Sequence, residues 1–147
     1  MPTVVLIRHG DALNHASRDA DRRLSPIGIE EAKQVAKAIH GRVEVRTIVT
    51  SPYVRARETA AIVQTELMLD SVTEVPFITP FGDCDTVSAE LAGMGDGVVV
   101  VTHQPLISDL VAYLTGQHIA VPTGTAVAIS SMSYAQYQGE ILWVERG

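Results

Sequence analysis

Val4-Val5-Leu6-Ile7-Arg8-His9-Gly10 is the stretch that decides the fold. Its four apolar residues are too few for a helix and are rich in β-branched side chains, the pattern of a buried strand. Arg8, His9 and Gly10 fall just past the strand's carboxyl end. A second run, Val98-Val99-Val100-Val101-Thr102, ends in the same way at His103. Open α/β sheets bind ligands outside the carboxyl ends of their strands. One crevice could therefore hold both imidazoles and Arg8.

The rest of the chain supplies the helices such a sheet needs. Gly10 to Leu24 is polar and charged and reads as a loop, with Asp19 to Arg23 solvated or bordering the crevice. Ser25-Pro26 reads as an N-cap followed by proline at the first helical position. Ala32, Val35, Ala36 and Ile39 then form an apolar stripe that closes at Gly41. Thr47 to Thr50 reads as a strand. Ser51-Pro52 repeats the cap signal ahead of a helix carrying Tyr53, Ala56, Ala60, Val63 and Leu67. A short strand is expected around Val75-Pro76-Phe77 and a helix over Val87 to Met94. A further helix opens at Pro105 and ends at Gly116. Strands over Ala126–Met132 and Ile141–Val144 complete the chain. The β-α-β-α order predicts a mainly parallel sheet with helices on both faces.

The chain has 147 residues, a length suited to one domain spanning residues 1–147. Hydrophobic residues make up 46% and charged residues 19%, a globular mixture. The formal net charge of -6 argues against a nucleic-acid-binding face. The apolar runs fall far short of the roughly 20 residues of a membrane helix. Met1-Pro2-Thr3 lacks the charged and apolar regions of a signal peptide. The single cysteine, Cys84, excludes an internal disulfide and suits a reducing, cytoplasmic setting.

Several residues suggest chemistry. His9 alone reads equally well as a histidine that bonds a neighbouring loop. Beside it, Arg8 offers a planar fork of donors for phosphate or carboxylate, and Gly10 allows close backbone approach. A neutral imidazole with one nitrogen held can act as a nucleophile through the other. Arg55 and Arg57 stand in the first turns of a helix, where the helix dipole disfavours cations unless an anion is bound there. That reading suits Arg55, while Arg57 reads as facing solvent. Together Arg8, His9, Arg55 and His103 could surround a phosphoryl group and neutralise its oxygens during in-line attack.

Rival motifs fail. Asp83-Cys84-Asp85-Thr86-Val87 matches an aspartyl-phosphatase pattern, yet no hydrophobic strand leads into it. Cys84 lacks an arginine six residues on, where Glu90 stands. Gly93-Met94-Gly95-Asp96-Gly97 precedes a strand instead of following one. His15, His40 and His118 share no metal-ligand spacing.

Taken in order, Arg8-His9-Gly10-Asp11-Ala12, Leu24-Ser25-Pro26-Ile27-Gly28, Ser51-Pro52-Tyr53-Val54-Arg55-Ala56, Ile78-Thr79-Pro80-Phe81-Gly82-Asp83 and Thr102-His103-Gln104-Pro105-Leu106 resemble the histidine phosphatase (phosphoglycerate mutase-like) superfamily. More narrowly they resemble its SixA-type phosphohistidine phosphatases. The resemblance implies a three-layer α/β/α fold with a six-stranded, mostly parallel sheet whose fifth strand is antiparallel. It implies that His9 becomes phosphorylated while Arg8, Arg55 and His103 complete the phosphate pocket, with no metal and no cofactor. Many relatives add an acidic residue that protonates the leaving group. Asp83 and Asp11 are the two candidates here, neither a clear match. A histidine leaving group, with a pKa of roughly 6.5, departs after light protonation, so a strong acid is not required. The expected function is a metal-independent protein phosphohistidine phosphatase acting on a histidine-phosphotransfer domain of a phosphorelay. The alternatives are a phosphatase for a small phosphate ester or phosphoanhydride and a non-catalytic phospho-binding module.

Overall fold

The computed structural model describes residues 1–147. Six strands form one sheet: β1 (Thr3–Arg8), β2 (Thr47–Thr50), β3 (Thr73–Glu74), β4 (Val98–Thr102), β5 (Thr125–Ser131) and β6 (Gly139–Arg146). Their order is β3-β2-β4-β1-β5-β6. Strands β1 to β4 run parallel, β5 runs antiparallel to β1, and β6 pairs antiparallel with β5. This is the mostly parallel sheet with an antiparallel fifth strand expected from the sequence.

Successive side chains of a strand point to opposite faces. Val4 and Leu6 of β1, with Val98 and Val100 of β4, therefore face one way and pack in a cluster with Leu91, Leu106, Ile107, Leu110 and Leu114. These last five come from α3 (Cys84–Met94) and α4 (Leu106–Thr115). Val5, Ile7, Val99 and Val101 face the other way, against Val35, Ala36 and Ile39 of α1 (Pro26–Ile39) and Ala56, Ala60 and Val63 of α2 (Val54–Leu67). The central strands are buried on both sides, which is why their sequence is a continuous apolar run rather than an alternation. The result is the expected three-layer α/β/α arrangement.

Local departures have local causes. The strand expected around Val75-Pro76-Phe77 is instead the two-residue β3 at Thr73–Glu74. Val75 still donates its N–H to the Thr50 carbonyl, but Pro76 has no N–H to continue the ladder, and Pro76–Ile78 winds into a 3-10 turn. Helix α2 begins at Val54 with Tyr53 as its cap, two residues later than Ser51-Pro52 suggested. Helix α3 begins at Cys84, earlier than Val87, because the Asp83 carboxylate caps it by accepting the Thr86 N–H. The loop after β1 contains a 3-10 turn at Asp19–Asp21 and a bridge between Ala12 and Leu24.

Gly10 and Gly28 let this loop sit on the first turn of α1. A Cβ on Gly10 would lie 2.4 Å from the Gly28 carbonyl oxygen, and one on Gly28 would lie 2.0 Å from that of Asp11. Neither position has room for a side chain. Gly10 is thus required by backbone-to-backbone packing.

Candidate active site

Register places the reactive groups. Arg8 pairs with Thr102, and Val101 pairs with Thr50, so the carboxyl ends of β1, β4 and β2 lie side by side. The next residues are His9, His103 and Ser51. The His9 N–H continues the ladder to the Thr102 carbonyl, and the Ser51 N–H bonds the Val101 carbonyl. Arg55 enters from the first turn of α2. His9 is 6% exposed, Arg55 4% and His103 1%.

The four residues nominated from sequence are brought together. His9 Nδ1 lies 2.7 Å from the carbonyl of Gly10. A carbonyl only accepts, so Nδ1 carries the hydrogen and Nε2 presents a lone pair. Arg55 Nε donates to that Nε2 at 3.2 Å. The two imidazole centroids are 5.0 Å apart. Arg8 donates through one terminal nitrogen to the Val121 carbonyl at 3.1 Å, while its Nε is buried without a partner.

Burial first, and then the positive charges of Arg55 and Arg8, push the His9 pKa from 6.5 to about 4, although the bond to Gly10 opposes the shift. Burial also pushes His103 down to about 2, helped by its proximity to His9 and Arg55. Both imidazoles are neutral at pH 7. For His9, neutrality keeps the Nε2 lone pair, which here accepts the Arg55 Nε–H and becomes available for attack when an incoming phosphoryl oxygen takes over that donor.

Arg8, His9 and Arg55 open into a cavity of about 290 Å³ lined by nine residues, of which Ala12 is the one hydrophobic residue, while the buried His103 lies outside that lining. Arg8, His9, Asp11 and Arg55 line it together with Asn14, Arg22, Gln104 and Thr123. Two more voluminous grooves lie elsewhere, on the outer faces of α1 and α2 and beside Gly147, and neither contains a histidine or an arginine. No group of three or more His, Cys, Asp or Glu residues is gathered where it could hold a metal.

The structure separates the two candidate acids. Asp11 lines the cavity, and its carboxylate accepts the Ser25 hydroxyl at 2.7 Å. Asp83 is exposed, outside the cavity lining, and occupied in capping α3. Bonds from the Thr86 hydroxyl and N–H hold its pKa below the usual carboxylate value, so it keeps no proton to give. Arg57 points outward, half-exposed, and pairs with Glu74 at 3.3 Å.

Sequence reasoning underrated the Asp19–Arg23 segment. Asp19 offers its carbonyl to one terminal nitrogen of Arg55 at 2.7 Å and its carboxylate to the other at 3.1 Å. The same carboxylate accepts Arg22 at 3.1 Å. Burial works to raise the Asp19 pKa, but the hydrogen bonds from Arg22 and Arg55 outweigh it and bring it down. The Asp19-Arg22 spacing of three residues was the available signal for an ion pair. Nothing in the sequence tied it to Arg55.

A sequence model of the histidine phosphatase superfamily (branch 1) matches residues 4–78. The phosphohistidine phosphatase SixA of Escherichia coli (strain K12) is 37% identical over 136 residues, covering 88% of this chain and 84% of that protein. The chain belongs to the histidine phosphatase superfamily. A SixA homologue from Haemophilus influenzae is 31% identical over 127 residues, covering 78% of this chain and 77% of its own. Among solved structures, the protein histidine phosphatase SixA complexed with tungstate superposes with a TM-score of 0.91 at 31% identity, covering 98% and 96% of the two chains.

Proposed function

We propose that this member of the superfamily is a metal-independent protein phosphohistidine phosphatase working through a phosphorylated His9. His9 Nε2 attacks the phosphorus in line, and the bond from phosphorus to the substrate imidazole breaks. Arg8, Arg55 and His103 hold the phosphoryl oxygens. The Nδ1–H bond to Gly10 keeps the attacking ring in one tautomer and orientation. The departing imidazole takes up a proton and leaves neutral. Water then attacks phospho-His9, releasing inorganic phosphate and restoring the free ring. Of the two candidate acids, Asp11 is the one that lines the cavity. An easily departing imidazole asks little of it.

The observation that carries this reading is the character of the cavity. It has about 290 Å³ and one hydrophobic lining residue, Ala12. Pockets for small organic ligands are typically larger, at roughly 300–1,000 Å³, and lined mostly by apolar and aromatic side chains. This one is lined by three arginines, a histidine and other polar groups, which suits the oxygens of a phosphoryl group and offers little apolar surface to the rest of a small substrate. A histidine on a protein surface, held mainly through its phosphoryl group, suits that lining. The 37% identity to a phosphohistidine phosphatase supports the same choice. Within that reading the substrate is a histidine-phosphotransfer domain, the role is signal transduction through a phosphorelay, and the setting is the cytoplasm. No helix is long and apolar enough to cross a membrane.

Turnover measured side by side on a phosphohistidine protein, phosphoramidate and common sugar phosphates tests this. The protein substrate should give the highest kcat/KM and the sugar phosphates the lowest. Efficient hydrolysis of a sugar phosphate or 3-phosphoglycerate would overturn it.

A further inference from the structure

Ser51 looks like a helix cap in the sequence, but its hydroxyl serves a different partner. Ser51 is fully buried, and its Oγ lies 2.7 Å from His103 Nε2. The same oxygen accepts the Tyr53 N–H at 3.2 Å. The other ring nitrogen, His103 Nδ1, is buried with no partner. The edge of Tyr53 packs against the ring, with centroids 4.9 Å apart.

Hydrogen-bond accounting distinguishes the two tautomers. With the proton on Nε2, Ser51 Oγ would accept from both His103 and Tyr53. Its own hydrogen would then have no acceptor, and Nδ1 would be a second orphan. With the proton on Nδ1, the Ser51 hydroxyl donates to Nε2 and is fully satisfied. The one group left unpaired is the Nδ1–H, 5.0 Å in ring-to-ring distance from the nucleophile's imidazole. An unpaired buried donor is costly unless an incoming acceptor completes it.

We propose that Ser51 is a positioning residue whose hydroxyl donates to His103 Nε2 and thereby fixes His103 as a neutral Nδ1–H donor for the phosphoryl group. The inference rests on the reading of His103 as a phosphate-pocket residue. It adds a division of labour between two imidazoles in the same tautomer. His9 spends its Nδ1–H on Gly10 and presents a lone pair. His103 spends its lone pair on Ser51 and presents an N–H. The depressed His103 pKa agrees with a neutral ring.

Nitrogen-15 spectra of the histidine rings in the full chain at pH 7 test this, with His103 assigned by loss of its signals in His103→Gln. Wild-type His103 should be neutral and protonated on Nδ1. Protonation on Nε2, or an imidazolium, would overturn the proposal. In Ser51→Ala the Nδ1–H population should fall, and inhibition by inorganic phosphate should weaken by about tenfold or more, the loss of one hydrogen bond to a charged group. A folded Ser51→Ala with the wild-type tautomer would also overturn it. If Ser51→Ala does not fold, Ser51→Gly removes the same hydroxyl, and the wild-type spectrum alone still decides. A wild-type Nδ1–H tautomer with no phosphohistidine turnover would uphold Ser51's role and sink the functional reading instead.

Discussion

The strand-end cluster and the Asp19–Arg23 strap meet at one side chain, Arg55, yet they are built on different physics. His9, His103 and Arg55 are buried and Arg8 is half-buried, and the two histidines follow strands whose register is set by the core. The strap lies at the surface, part exposed and part half-buried, and is held by ion pairs. The Asp19 side chain is 58% exposed, and Arg18 pairs with Asp21 on the outer surface. Exposed pairs contribute little to stability. What the strap contributes is orientation: it occupies both terminal nitrogens of Arg55 and leaves Nε for His9. The cluster supplies the chemistry, and the strap aims one part of it.

Breaking the cluster should have the largest effect. His9→Ala should lose turnover by several orders of magnitude, since it removes the atom that forms the new bond. It should remain folded, because the side chain faces a polar cavity. In the wild type, rapid quenching after mixing with labelled phosphohistidine protein should trap a label on His9 that is acid-labile and base-stable. Label on Ser51, Cys84 or an aspartate would mean that His9 is not the nucleophile.

Arg55 and Arg57 then sharpen the contrast within one helix turn. Arg55→Ala should cost about 3–5 kcal/mol of transition-state stabilisation, as expected when a charged donor is removed from a buried oxyanion pocket. Arg57→Ala should change kcat/KM little, because Arg57 faces Glu74 and solvent. Asp19→Asn should fall between them, at about a tenfold loss, since a charged partner becomes a neutral acceptor. A loss in Asp19→Asn as large as in Arg55→Ala would make the strap part of the chemistry.

Acid should also distinguish the two regions. The folded chain resists protonating His9 until about pH 4, while an unfolded imidazole takes a proton near 6.5. Below pH 6.5 the unfolded state binds more protons, so stability rises with pH and falls on acidification. His9 alone should remove about 3 kcal/mol between pH 6.5 and 4. His103 adds a loss that continues towards pH 2. The carboxylates Asp19, Asp21 and Asp83 have depressed values, and their contribution is lost in a lower window as pH falls through the ordinary carboxylate range. Urea unfolding between pH 6.5 and 5 therefore reports mainly on the cluster. A flat stability curve there would mean that neither ring is shielded.

The same contrast explains what the sequence revealed. β1 and β4 were legible because strands buried on both faces are written as unbroken apolar runs, and His9 and His103 followed from where those runs end. The first turn of α1 was legible because the Ser25 hydroxyl accepts the Gly28 N–H, the local bond that the Ser-Pro pattern announces. Ser51-Pro52 carries the same pattern but misleads by two residues. The long-range partner of Ser51, His103, is 52 positions away and leaves no local trace. The strap was illegible for the same reason: Asp19 reaches Arg55 across 36 positions. Local hydrogen bonds and burial leave patterns in a sequence. Tertiary bonds between loops do not.

The smallest expected effect belongs to Asp83, the candidate acid that the structure places away from the cavity. Its carboxylate satisfies the Thr86 N–H and hydroxyl at the start of α3, at 3.0 Å and 2.7 Å. Both bonds stabilise the ionised form, so Asp83 is held as an acceptor at neutral pH. A general acid needs the opposite: a raised value and a place within reach of the leaving atom. Asp83→Ala should therefore lower the thermal midpoint by a few degrees through loss of the cap, while kcat/KM for phosphohistidine protein stays within about twofold of wild type. Asp83→Asn should recover most of the stability, because asparagine caps helices nearly as well. The informative substrate is an alkyl phosphate, whose basic leaving group needs protonation far more than imidazole does. If Asp83→Asn selectively abolished hydrolysis of the alkyl ester while keeping the wild-type midpoint, Asp83 would have to swing from its cap into the cavity during turnover. A uniform, small change across both substrates would leave Asp11 as the acidic group at the reacting end of the sheet.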